Sequence, residues 1–274
     1  MRLSRGWGPL RFLLVVAVLV LFMSPLLFMF LGSLRVPGLP PPEGFEFLPD
    51  PMRERNYLTV FEISEMTTFL RNSAVVVALA VPITVVVGSW AGFAIATASS
   101  VARRRMVAAS LIALMIPLSA LWVPRFVLFK WAGLTGNLGS LIAPALMATT
   151  PFYVLLFALS YARLPRSYFE VATLEGLSPL ATWRTVAWPL TRPVAGAVAI
   201  LAFVFHWSNL VDPLLYLSDA GTYTLPLGLR ALQTFDPTNY PILLAASLIA
   251  TVPPVVGFMV MQRAFFRHIV EVRG

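Results

Sequence analysis

The sequence predicts an all-α polytopic membrane protein with six transmembrane helices and a short helical pair on the cytoplasmic side. Three observations carry that expectation. Of 274 residues, 58% are hydrophobic and only 12% charged, where a soluble globular chain has roughly 25% charged residues. The apolar residues gather in runs of about twenty or more, the length a helix needs to cross a hydrocarbon core about 30 Å thick. Finally, the basic residues are concentrated on alternate inter-span segments.

Arg2, Arg5 and Arg11 precede residues 12–32, an uncharged run of 21 residues. It is too long for the apolar part of a signal peptide and no small-x-small cleavage site follows, so it reads as an uncleaved first span with its N-terminus in the cytoplasm. Pro25 predicts a kink. Residues 36–51 hold six prolines in sixteen positions, and the stretch to Thr68 adds Glu43, Glu46, Asp50, Glu54, Glu62 and Glu65. This composition predicts an extended, mildly acidic extracytoplasmic loop. The second span, 73–98, follows Arg71-Asn72-Ser73 and is closed by Arg103-Arg104-Arg105. Three arginines beside a span mark its cytoplasmic end and do not call for a nucleic acid.

The third span is expected over 106–129, with Pro117 and Pro124 inside it and Arg125 near its outer end. Gly133, Gly136 and Gly139 then form an outer turn; their spacing is not GxGxxG and no strand precedes them, so they are no phosphate loop. The remaining spans are placed at 140–161, 193–217 and 240–261, giving one transmembrane domain over 1–274. Counted by side, the cytoplasmic face takes thirteen arginines against Glu170, Glu175 and Glu271, and the other face seven bases against nine acids. That asymmetry is the positive-inside rule, and it places both termini and residues 163–192 in the cytoplasm.

Residues 163–192, RLPRSYFEVATLEGLSPLATWRTVAWPLTR, form a polar island between apolar runs. Ser167 and Glu170 have capping-box spacing, which predicts a helix starting at Tyr168. Gly176 suits the left-handed turn that ends a helix, and Ser178-Pro179 reads as an N-cap followed by proline in the first helical position. Two helices this short are not stable alone, so their use at a membrane face is docking onto another protein.

Glu170-Val171-Ala172, then Glu175-Gly176 and Ser178, and later Trp188-Pro189-Leu190, resemble the EAA loop of permease subunits of ABC importers, the carbohydrate-uptake class in particular. Val171 stands where that pattern has its first alanine and Glu175 where it has aspartate. Weaker likenesses run through the chain: Ile116-Pro117, Trp131 to Thr135, Trp207 with Pro213-Leu214, and Thr224 to Leu229. The resemblance implies a coupling loop at 163–192. In it Glu170 reaches a basic residue of an ATP-binding subunit, Gly176 permits the turn, Ala172 packs closely and Glu175 holds the acidic position. It also implies a second permease subunit, two ATP-binding subunits that carry ATP and magnesium, an extracytoplasmic solute-binding protein and a sugar or polyol substrate.

Several chemistries are excluded on the residues alone. There is no cysteine, and the two histidines, His206 and His268, are far apart in sequence, so no metal centre is expected. The only lysine, Lys130, is followed by Trp131, so the chain lacks the P-loop that would bind ATP and no cofactor is expected on it. No convergent catalytic set appears, and the chain is not expected to be an enzyme. The fifth span carries polar groups at membrane depth: His206, Trp207, Asn209 and Asp212. Such groups usually face a cavity or a partner, and on a continuous helix Phe205, Asn209 and Asp212 share a face, which makes them candidates for the substrate path. The alternative for His206 is a hydrogen bond between spans, and for Asp212 a place at the outer mouth. Two other functions fit the composition. An ion-coupled secondary transporter would need intramembrane carboxylates, for which only Asp212 qualifies; a permease for a non-sugar solute such as a glycerol phosphate is the other.

Overall fold

The computed structural model describes residues 8–39, 48–235 and 237–271, and every regular element among them is helical. The N-terminal half contains α1 (Gly8–Ser33), α2 (Asn56–Ile63), α3 (Met66–Thr97), α4 (Ser100–Met115), α5 (Leu118–Trp131) and α6 (Gly139–Ile142). Next come α7 (Pro151–Ala162), α8 (Arg166–Leu174), α9 (Pro179–Thr182), α10 (Trp188–Leu190) and α11 (Arg192–Ser208). The chain continues through α12 (Val211–Tyr216), α13 (Leu225–Phe235) and α14 (Tyr240–Glu271). Arg2, Arg5, Glu43, Glu46, Asp236 and Arg273, which entered the count of charges, lie outside the described residues.

Four helical stretches are long and apolar enough to cross a bilayer: Arg11–Ser33, Met66–Thr97, Gly139–Ala162 and Tyr240–Met259. Two bent pairs raise the number to six if each is one span: Ser100–Met115 with Leu118–Trp131, bent by 95°, and Pro179–Leu190 with Arg192–Ser208, bent by 83°. The stretch expected as the third span, 106–129, is thus divided between two helices. Pro117 has no amide hydrogen and forces Ile116 into extended conformation, φ −76° and ψ 119°, so the helix stops and restarts.

Proline also breaks the expected helix over 140–161. Pro144 sits in a 3-10 turn, Ala143–Met147, and Thr150 is extended ahead of Pro151. Between them Ala148 and Thr149 take left-handed φ values of 57° and 62°. Two adjacent non-glycine residues in that region cost about 1–3 kcal/mol each and persist only where their surroundings hold them. Here the Ala148 and Thr149 amides donate to the carbonyls of Ala145 and Pro144, at 2.9 and 2.8 Å. The Thr149 hydroxyl lies 2.6 Å from that of Thr84. Irregular backbone at membrane depth survives only when satisfied inside the protein in this way.

The described residues fall into two units, Met1–Met66 with Leu229–Val252, and Thr67–Gly228 with Pro253–Gly274. Within the first, the stretch expected to be an extended loop contains α2. Its buried Asn56 donates from Nδ2 to the carbonyls of Ser33 and Arg35, both at 2.7 Å, and Tyr57 Oη lies 2.8 Å from Ser33 Oγ. The last carbonyls of a helix lack intrahelical partners, so Asn56 closes the end of α1, and Val60 and Met66 bury fully beside it.

In the second unit α3 crosses α7. Gly88 and Gly92, one turn apart on α3, face Phe157 and the α7 backbone, the small-residue contact by which apolar helices approach closely in lipid. Around the crossing Phe93, Tyr153, Phe157, Tyr161, Val198 and Ala202 form the larger buried cluster. A smaller one joins Val76, Leu141, Tyr216, Leu217 and Leu227. Asn72 and Ser73 staple the approach to α13: Asn72 Nδ2 donates to the carbonyls of Gly221 and Tyr223, and Ser73 Oγ accepts from the Leu225 amide.

Candidate functional site

The polar island folds as the helix pair α8 and α9. Its middle is as the sequence predicts. Gly176 has φ +71°, its amide donates to Thr173 O, and the Leu177 amide donates to Ala172 O, both at 3.0 Å. These two bonds are the Schellman closure of a helix. Ser178 Oγ then accepts from the Ala181 amide at 3.3 Å, with Pro179 in the first helical position. The start differs: α8 begins at Arg166, Pro165 occupies the cap position, and no side chain caps it. Pro165 already holds the extended geometry that precedes a helix, φ −55° and ψ 133°, and its carbonyl accepts from the Tyr168 amide. Ser167 is therefore inside the first turn, and the expected capping box with Glu170 does not form.

Glu170 is consequently exposed and makes no hydrogen bond or ion pair among the described residues. Glu175 is exposed at the end of α8, and Ala172 between them is buried. Apolar side chains point outward as well: Leu174 is 87% exposed, and Val171, Leu177 and Leu180 are also exposed. Beside Glu170 lies an open groove of about 810 Å³ whose lining includes Thr97, Arg103, Arg166, Glu170, Thr173 and Thr182.

The pair is tied to the spans behind it. Residues 183–187 form a π-turn, a widening that removes Pro189 from the clash its ring would make with the Thr185 carbonyl in a regular helix. Trp183 Nε1 donates to Ser89 Oγ at 3.0 Å, and Ser89 Oγ lies 2.6 Å from Tyr161 Oη. Phe169 of α8 packs on Phe93 of α3, ring centres 6.0 Å apart, and Phe93 meets Tyr161 edge-on at 5.6 Å.

The residues proposed for the substrate path are not carried on one continuous helix. The helix ends at Ser208, and Asn209 is extended, φ −70° and ψ 114°. Pro213 accounts for this, because in a continuous helix its ring would collide with the Asn209 carbonyl four residues earlier. Asn209 and Asp212 therefore do not share a helix face with Phe205. They bind each other, Asn209 Nδ2 donating to Asp212 Oδ2 at 2.9 Å and the Asp212 amide to Asn209 Oδ1 at 3.2 Å. Arg125 of α5 adds an ion pair to Asp212 at 3.4 Å, a partner 87 positions away that no local pattern announces. His206 is buried with Nε2 3.3 Å from Thr149 Oγ1. Trp207 is buried and stacked on Phe203 at 5.7 Å. None of these four lines the groove beside Glu170. Among the described residues no group of His, Asp or Glu is arranged to hold a metal ion.

A family model for the binding-protein-dependent transport system inner membrane component matches residues 84–271, which holds both the helix pair and the α3–α7 crossing. The chain belongs to this family. The permease is 31% identical over 244 residues to the arabinooligosaccharides transport system permease protein of Halalkalibacterium halodurans, covering 88% of this chain and 87% of that one. It is 26% identical to the lactose transport system permease protein of Rhizobium radiobacter, covering 77% and 76% respectively. Its fold is also that of a chain in the crystal structure of a bacterial ABC transporter involved in the import of the acidic polysaccharide alginate. The TM-score there is 0.79 at 18% identity, covering 97% of the permease and 99% of that chain.

Proposed function

We propose that this permease forms one half of the translocation path of an ATP-driven importer for a sugar or related polyol. Its termini and its α8–α9 pair lie in the cytoplasm, where the pair docks onto one of two ATP-binding subunits that carry the nucleotide and magnesium. A second permease supplies the other wall, and an extracytoplasmic binding protein delivers the substrate. The observation that carries this reading is the helix pair itself. It presents an acidic side chain without an internal partner, Glu170, beside exposed Val171 and Leu174, a combination that a free surface disfavours and a docking surface uses. The sugar class rests on the relatives, whose names specify arabinooligosaccharides and lactose. An ion-coupled mechanism is less well supported, because the one carboxylate it would need, Asp212, is already engaged by Arg125 and Asn209.

Glu170→Ala tests the docking role. A hydrogen bond to a charged group contributes about 1.5–3 kcal/mol, so the ATP-binding subunit is expected to dissociate from the purified complex roughly tenfold to a hundredfold more readily. Transport into vesicles falls in parallel while the amount of permease in the membrane is unchanged. Retention of the ATP-binding subunit and of transport at normal levels would refute the role.

A further inference from the structure

We infer that Ser89, Tyr161 and Trp183 form the joint that passes movement of the α8–α9 pair to the spans, with Trp183 as a positioning residue; this rests on the docking role proposed above. Both halves of the pair arrive at the same point. From α8, Phe169 leans on Phe93, which meets the Tyr161 ring edge-on. From the turn after α9, Trp183 donates its indole hydrogen to Ser89 Oγ, the atom that also bonds Tyr161 Oη.

Ser89 and Tyr161 are fully buried; Ser89 lies on α3 between Gly88 and Gly92, and Tyr161 lies on α7 one turn beyond Phe157, which both glycines face. A displacement of either helix of the pair therefore reaches the α3–α7 contact without passing through a flexible connector. The Ser89–Tyr161 bond is buried and the Trp183 bond to it part-buried, so the three polar atoms have few alternative arrangements, since leaving Ser89 or Tyr161 unpaired away from water is costly. A contact of that kind moves as a unit or switches between discrete states, which is what transmission requires.

The test uses the complete transporter with Trp183→Phe, which keeps a ring and removes the donor, and Tyr161→Phe, which removes the other hydroxyl. Permease amount, co-purified ATP-binding subunit, ATP hydrolysis and transport per assembled complex are measured for each. The expected result is normal assembly and continuing ATP hydrolysis, with the maximal transport rate per complex down at least fivefold and the substrate concentration for half-maximal rate unchanged. The double variant is expected to be no worse than the poorer single one, since both act through Ser89 Oγ.

Transport per complex at the unaltered rate in both single variants would overturn the joint, as would a deficit explained wholly by less permease in the membrane. The two proposals fail separately. If Glu170→Ala releases the ATP-binding subunit but Trp183→Phe transports normally, the joint is wrong and the docking surface stands. If the unaltered permease retains no ATP-binding subunit, the docking surface itself is wrong.

Discussion

Replacing Gly92 with alanine is expected to remove most of the folded permease from the membrane, while the same change at Gly88, one turn earlier, leaves it in place. A Cβ at position 92 would stand 2.5 Å from Phe157 Cβ, 2.8 Å from the Ala158 amide nitrogen and 2.9 Å from the Val154 carbonyl oxygen. Two of these are backbone atoms and the third is fixed to the backbone, so no rotamer change relieves the contact. At Gly88 the nearest atoms are Ala148 Cβ and Phe157 Cδ2, at 3.5 and 3.6 Å, which is ordinary packing distance. Overpacking a core usually costs about 1–3 kcal/mol and more where the backbone must move. In lipid the cost is felt fully, because close approach of small residues is itself the attraction between apolar helices. Quantifying the detergent-extracted subunit and its thermal unfolding for the two variants side by side checks this. Equal stability of the Gly92 and Gly88 variants would show that α3 and α7 do not cross where described.

The second large effect concerns the ion pair between Arg125 and Asp212, whose side chains are 21% and 12% exposed. Asp212→Ala strands a guanidinium and also deprives Asn209 of its acceptor. Removing one member of a buried pair typically costs about 3–5 kcal/mol, and residual exposure brings the expectation to about 2–4. Replacing both charges by apolar residues of similar size is often neutral, so Arg125→Met combined with Asp212→Leu is expected to recover most of the unfolding temperature that Asp212→Ala loses. If the double variant is as unstable as the single one, the pair is not what holds α5 to the turn after α11.

What could be read in the sequence followed from local chemistry. Gly176 and Ser178-Pro179 each act within four residues, and both were placed correctly together with the all-helical class. Ser167 and Glu170 show where the same logic fails, because Pro165 had already set the helix start and left the box spacing unused. Apolar run length pointed to helices long and apolar enough to cross a membrane, but it is blind to what proline does inside them. Pro117, Pro151 and Pro213 each break an expected helix, and the last of these removed the shared face on which Asn209 and Asp212 had been grouped. Long-range partners left no local trace. Arg125 with Asp212 and Trp183 with Ser89 are separated by 87 and 94 positions. One signal was present and usable: glycines at 88 and 92, four apart in an apolar run, mark a face where another helix comes close.

The absence of native cysteine gives the most direct test of the helix pair as a cytoplasmic docking surface. Leu174, 87% exposed at the end of α8, has little internal packing to lose on replacement, and Leu174→Cys supplies the chain's sole thiol. In intact cells that thiol is expected to resist a membrane-impermeant maleimide. In inverted vesicles a short thiol-to-amine reagent is expected to join it to the ATP-binding subunit. Labelling from outside the cell, or a crosslink to no ATP-binding subunit, would contradict the coupling of this permease to ATP hydrolysis through α8 and α9.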